Sequence, residues 1–232
     1  METQGFLSVI IPVYNGSDFL AAAVESVLQQ QHSPGEIILI DDGSTDATAA
    51  VADRLQASLG GLLRYVYQPN AGPAAARNHG LALARGEWIA FLDADDLWPE
   101  NSLGVRFAAL RADPLLAVVM GRVRLVQGIE ASDPESEREN RTFAGPSLGA
   151  GLFRRAVFER VGGFDPALRS SEDVDWFLRA RERGISIQQI PAVTLLYRRH
   201  EASLTYQKSP AALQMLQVLK RSLERRSGSE VP

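Results

Sequence analysis

The chain has 232 residues, carries a net charge of −4 and contains no cysteine. That length suits one domain with a sizeable core. The mild charge offers no broad surface for nucleic acid. The lack of thiols removes disulfides, thiolate nucleophiles and cysteine-rich zinc sites, and it suits a reducing compartment. The opening METQGFLSVIIPVYNG has no basic leader before its apolar run, and no run reaches membrane-spanning length, so the sequence reads as a cytosolic protein.

FLSVIIPV (6–13) is a continuous apolar, β-branched run, which predicts a strand covered on both faces. Residues 17–30 have helical periodicity, with Ser17 or Asp18 as N-cap. EIILI (36–40) predicts a second buried strand, followed by the turn DDGST and a helix from Asp46 to about Leu59. LRYVYQ (63–68) predicts a third strand, PNAG a turn, 73–84 an Ala-rich helix and EWIAFL (87–92) a fourth strand. Strands alternating with helices predict right-handed crossovers and a mainly parallel, Rossmann-like sheet with helices on both faces, an α/β/α sandwich.

The second half is less regular. Residues 99–112 and 171–184 read as helices, and 115–126 and 185–199 as strands. The polar, mostly acidic stretch 128–142 reads as a long mobile loop. Residues 210–226 predict an amphipathic helix with a basic end, before a frayed SGSEVP. It presents Leu216, Leu219 and Leu223 on one stripe, with Lys220, Arg221, Arg225 and Arg226 nearby, and the helix is expected to pack on the domain; weak contact with an anionic membrane surface is the lesser reading.

In open α/β sheets ligands bind beyond the carboxyl ends of the strands. Tyr14-Asn15-Gly16, Asp41-Asp42-Gly43 and Asp93-Ala94-Asp95 all fall at such ends. With Asp96, five acids would crowd one rim and raise each other's pKa. A hard divalent cation resolves that repulsion, and Mg²⁺ or Mn²⁺ sharing its oxygens with a phosphorylated ligand fits the residue types. Taken singly, Asp after a strand is equally a turn former or a helix cap; the shared position favours a site. No phosphate-binding G-x-x-x-x-G-K-[ST], no dinucleotide-type G-x-G-x-x-G and no legible Ser–His–Asp set is present.

VIIPVYNGSDFL (9–20), EIILIDDGSTDAT (36–48), NAGPAAARNHGLALARGEWIAFLDADD (70–96), GGFDPAL (162–168), SEDVDWFLR (171–179) and YRRHEASLT (197–205) together resemble the family 2 glycosyltransferases of the GT-A fold. The resemblance implies one GT-A domain over 1–207, with a nucleotide half (1–96) and an acceptor half (97–207), followed by the helix and tail at 208–232. It implies inverting transfer of a sugar from a nucleoside diphosphate donor, commonly a UDP-sugar, to an acceptor hydroxyl, with Mg²⁺ or Mn²⁺ as cofactor. Asp42 matches the acid that meets the base, Pro12 and Tyr14 line the nucleoside pocket, and Arg77 lies in the stretch approaching the nucleotide. Asp93 and Asp95 match the D-x-D pair: Asp95 as the direct metal ligand, Asp93 on ribose or donor sugar. His200 matches a histidine near the metal or diphosphate. Asp173 matches the catalytic base, at the start of a helical pattern whose buried stripe is Trp176, Phe177 and Ala180.

Other readings stand beside these. Glu172-Asp173 also suits a helix N-terminus, with Ser171 as its cap. Glu172 itself suits an acceptor contact or support of the base, and Asp175 suits a solvated face. Trp98 lines the acceptor side or packs. Arg198 and Arg199 hold diphosphate or form a surface pair. His32 and His79 read as nonfunctional, and Trp88 and Phe91 as core. The acceptor is a saccharide, a lipid-linked glycan or another hydroxyl compound. Two competing classes are a metal-dependent nucleotidyltransferase and a non-catalytic sugar-nucleotide binder. The first usually wants a basic, glycine-rich loop that SVIIPVYNGSDFL lacks; the joint presence of Asp95 and Asp173 argues against the second.

Overall fold

The computed structural model describes residues 5–127, 141–200 and 214–227. The first half follows the expected alternation: β1 (Leu7–Val13), α1 (Leu20–Leu28), β2 (Glu36–Asp41), α2 (Thr48–Leu59), β3 (Leu63–Tyr67), α3 (Pro73–Leu83) and β4 (Trp88–Phe91). After these come α4 (Ser102–Ala112), β5 (Val118–Gln127), β6 (Thr142–Phe143), β7 (Gly151–Arg154), α5 (Ala156–Val161), α6 (Glu172–Glu182), β8 (Ile187–Arg199) and α7 (Met215–Ser227). One sheet runs β3-β2-β1-β4-β7-β5-β6, with β8 on β5. The β1–β4 quartet is wholly parallel. β7 then joins β4 and β5 antiparallel, and β8 pairs β5 in parallel.

Two cores lie on the two faces of this sheet, as the period of two along each strand requires. Val9, Ile11, Ile37, Leu39 and Ala90 point toward α1, α2 and α4, where they meet Leu20, Val24, Ala52, Leu103 and Phe107. Ile10, Ile38, Ile40, Ile89 and Phe91 point toward α3, α5 and α6, where they meet Ala74, Val157, Trp176 and Phe177. The result is the three-layer α/β/α sandwich. Helix α3 leans closely on β1 at Gly80, where a Cβ would lie 2.4 Å from Ile10 Cγ2. Gly80→Ala is therefore expected to lose about 1–3 kcal/mol in urea unfolding despite its better helix propensity, because β1 cannot retreat from the close-packed core. Unchanged stability would show that α3 does not lean on β1.

Two expectations, the cap of α1 and a solvated Asp175, differ from the structure. Helix α1 begins at Leu20, with neither Ser17 nor Asp18 as its N-cap. The Ser17 N–H instead donates to Asp46 Oδ2 at 3.1 Å, tying this turn to the start of α2. Helix α7 does pack on the domain, but not by its leucine stripe: Leu216, Leu219 and Leu223 are exposed, while Val218 and Ser222 are buried. Ion pairs from Arg221 to Asp165 and from Arg225 to Glu182 and Asp175 set that orientation. Asp175 is buried between Arg179 and Arg225 rather than solvated. Among the described residues no helix is long and apolar enough to cross a membrane. The expected loop at 128–142 lies mostly outside the described residues, as do most of the final tail and the stretch 201–213.

Candidate active site

The carboxyl ends of β1, β2 and β4 form one rim. Val13 is level with Asp41 in the β1–β2 register, and Asp42 N–H donates to Val13 O at 2.8 Å. On the other side of β1, Leu92 N–H donates to Ile10 O at 3.1 Å, so the chain leaves β4 beside β1. The ends of β2 and β4 are thus two strand spacings apart, about 10 Å.

Turns after β1 and β2 are stitched together. Asn15 N–H donates to Ser44 Oγ at 2.9 Å, Asn15 Oδ1 accepts from Thr45 N–H at 2.8 Å, and Gly16 N–H donates to Thr48 Oγ1 at 3.0 Å. Gly43 has φ +80° and its Cα faces Asn70 so closely that a Cβ would lie 2.6 Å from Asn70 N; only glycine serves both demands. Tyr14 is left exposed at this corner, next to half-buried Pro12 on β1.

Asp42 is buried, and its carboxylate accepts from Gln68 Nε2 (2.7 Å), Ala71 N–H (2.9 Å) and Gly72 N–H (2.8 Å). It therefore holds the loop leading into α3. A carboxylate offers about four acceptor positions, so one remains for a ligand. His79 is not idle: its Nδ1 lies 2.8 Å from Gln68 Oε1, behind that same amide.

Beyond β4 the acids separate by environment. Asp93 is the most open, its side chain 42 % exposed, and Arg77 Nη2 donates to its Oδ1 at 2.6 Å. Asp95 Oδ2 lies 3.1 Å from His200 Nε2, whose ring stacks on Phe19 at 4.4 Å between centroids. Burial, and then the charge of Asp93, push the Asp95 carboxyl up, although His200 opposes the shift. Asp96 faces inward, accepting the Arg198 N–H at 3.1 Å; burial, then Asp95 and Asp93, push its pKa well up. Arg198 is neither a surface residue nor open to a ligand: it is 1 % exposed, donates from Nε to Asp95 O at 2.5 Å and lies 5.1 Å above the Phe19 ring.

Glu172 and Asp173 open α6, which is anchored by Trp176. That indole is fully buried, donates from Nε1 to Gly162 O at 2.9 Å and packs 5.0 Å from the Phe158 ring. The helix start reaches the D-x-D loop through one residue. Arg77, 6 % exposed, pairs from Nη1 with Glu172 Oε1 and from Nη2 with Asp93 Oδ1. Arg77 thus sits inside an acidic cluster, its guanidinium shared between Asp93 and Glu172. Asp173 shares this environment. Burial pushes its carboxyl up to about 6, Glu172 adds to the rise and Arg77 opposes it. Asp93 contributes as well, so the two acidic motifs lie close enough to feel each other's charge.

Trp98 does not line an acceptor surface. It is 3 % exposed, donates from Nε1 to Gly149 O at 2.8 Å and carries the Arg106 guanidinium 4.5 Å from its ring. The residue belongs to the core cluster that includes Leu103 and Phe107 of α4 and Leu152 of β7. Arg106 itself was not singled out from the sequence. It is wholly buried, and burial pushes its pKa down to about 9; its donors go to Ser102 and Gly151 oxygens.

Among known proteins, the family model described as Glycosyl transferase family 2 matches residues 8–164, more than half of the chain. The chain belongs to glycosyl transferase family 2. An uncharacterized glycosyltransferase of Nostoc sp. is 33% identical over 175 residues, covering 69% of this chain and 54% of that protein. The Bacillus subtilis glycosyltransferase EpsJ is 28% identical over 217 residues, 86% of this chain and 62% of EpsJ. The family 2 chain shares its fold with a mannosyltransferase of Pyrobaculum calidifontis solved with GDP-Man and Mn²⁺ (TM-score 0.74, 22% identity, 96% of this chain and 65% of the other). It does so equally with TarS 1–349 of S. aureus solved with UDP-GlcNAc (TM-score 0.73, 21% identity, 94% and 65%). The fold is that of GT-A glycosyltransferases. This chain spans less than two thirds of the length of each of these four proteins.

Proposed function

We propose that this family 2 chain is an inverting glycosyltransferase that moves a sugar from a nucleoside diphosphate donor, a UDP-sugar, to an acceptor hydroxyl. The observation that carries the reading is the Arg77 bridge, which brings Asp93 and the Glu172-Asp173 pair into one cluster at the ligand-binding end of the sheet. Acids on separate surfaces would have excluded it. Residues 1–96 form the donor half and 97–207 the acceptor half.

The side chains suit a divalent ion. Among the described residues no group of three His, Asp or Glu gathers as a metal cage. A metal that takes its remaining ligands from diphosphate and water needs only one or two protein ligands. Asp95 Oδ2 and His200 Nε2 are 3.1 Å apart, close enough for both to reach one ion. Asp95 and His200 would hold Mg²⁺ or Mn²⁺. When bound, the ion supplies Lewis-acid stabilisation of charge on the diphosphate.

The chain's own residues do the rest. Tyr14 and Pro12 flank the nucleoside, and Asp42 offers its remaining acceptor position to the base. Asp93 takes ribose or donor-sugar hydroxyls. Asp173 accepts the proton of the acceptor hydroxyl as its oxygen bonds to the sugar C1, while the C1–O bond to the diphosphate breaks and leaves its electron pair on the departing oxygen. Attack from the face opposite the diphosphate inverts C1. A thermal-shift screen of nucleoside diphosphate sugars with Mn²⁺ tests the reading. A selective stabiliser that needs Mn²⁺ is expected, its Tm rising with ligand concentration. Indifference to every nucleotide sugar would refute it.

A further inference from the structure

Among the described residues Arg77 is the side chain that pairs with both acidic motifs, and its position comes from the sequence of α3. Ala74, Arg77 and Gly80 recur at helical spacing on the face turned to the sheet, and all three are buried. The small neighbours let α3 press against β1, so the guanidinium is delivered from a rigid support into the gap between β4 and α6. Its planar fork then reaches Asp93 with one nitrogen and Glu172 with the other.

We propose that Arg77 is a positioning residue for Asp173: by clamping Glu172 against the loop after β4 it fixes the first turn of α6 and balances the negative charge around the base. This rests on the reading of Asp173 as the base. Three acids, Asp93, Glu172 and Asp173, meet here, and two of them lie on the same helical turn. Without a cation they would repel, and the turn that carries Asp173 would move away from the D-x-D loop. The charged groups facing Asp173 are Glu172 on its own helix, Arg77 from α3 and Asp93 after β4. The cations packed on the rest of α6 are directed elsewhere: Arg179 pairs with Asp175, Arg225 with Asp175 and Glu182, and Arg221 with Asp165. Arg77 and Glu172 therefore act on Asp173 with opposite signs, although they are bonded to each other.

That opposition gives a test that loss of structure cannot imitate. The Asp173 carboxyl is titrated by ¹³C NMR in the full chain without donor, its resonance assigned by its disappearance in Asp173→Asn. Arg77→Met should move the titration up by about one unit or more, as expected for loss of an opposite charge at contact distance. Glu172→Gln keeps an oxygen for Arg77 and should move it down. Arg77→Lys should restore it toward the parent value. Shifts in one direction for both neutral variants, or no shift in either, overturn the proposal. If Arg77→Met does not fold, Arg77→Gln is read in its place, and an Asp173 titration that stays put or moves down in that folded variant overturns the proposal. Failure of the base reading looks different: Asp173→Asn would keep transfer activity whatever the titrations show.

Discussion

Asp173→Asn is expected to lower sugar transfer by ~10²–10⁴-fold, the usual worth of general-base catalysis, while donor affinity stays within a factor of two or so. The amide is isosteric and still begins α6, whose hold on the domain comes from Trp176 and the aromatic rings around it. Only proton acceptance is lost. The pH dependence of the parent enzyme should carry the same signature. Burial and Glu172 raise the Asp173 pKa to about 6, so the reactive carboxylate is present above that pH and is lost as the pH falls through it. A free aspartate would hold its activity down to about 4. Transfer rates measured from pH 4.5 to 8 should therefore fall on the acid side near 6. Full activity in the asparagine variant would remove Asp173 from the mechanism.

Asp95→Ala should abolish the stimulation of donor binding by Mn²⁺. Loss of an outer partner of a metal ligand costs about 10–100-fold in metal affinity, and loss of a ligand should cost more. The substitution touches little else, since Arg198 reaches the backbone oxygen of Asp95 rather than its carboxylate. His200→Ala should weaken the same metal effect and should also remove the stack on Phe19. Titration calorimetry with UDP, with and without Mn²⁺, reads both variants. Equal donor affinity in the parent and in Asp95→Ala, with the metal present, would place the ion elsewhere.

Much of the first half was legible because local signals and tertiary structure agree there. Continuous apolar runs such as EIILI are what a strand buried on both faces must be, and Ile37–Ile40 are all buried. The acids after those strands were legible as a rim because parallel pairing fixes which ends align. The antiparallel entry of β7 between β4 and β5 was not legible. It depends on pairings such as Trp88 with Arg154, far apart in sequence. The missing cap of α1 has a similar cause: Asp46, 29 residues on, holds the Ser17 N–H, and nothing in the local pattern announces it.

The polar residues were misjudged where burial decided their role. Asp175 read as a surface group and Arg198 as either a diphosphate contact or a surface residue, yet each is enclosed by partners from distant elements. Trp98, next to the acids, read equally as an acceptor contact or as packing, and burial decides for the core. Arg77 did leave a signal. A charged residue on the small-residue stripe Ala74–Arg77–Gly80 has to be buried, and a buried guanidinium demands carboxylates.

A crystal structure of the protein with Mn²⁺ and UDP tests the shared cleft most directly. Mn²⁺ should lie within bonding distance of Asp95 Oδ2 and His200 Nε2, the diphosphate should complete its shell, the base should rest near Tyr14 and Asp42, and the Asp173 carboxylate should open onto the same cavity. A nucleotide bound away from the carboxyl ends of β1, β2 and β4, or an Asp173 cut off from the diphosphate by protein, would contradict it.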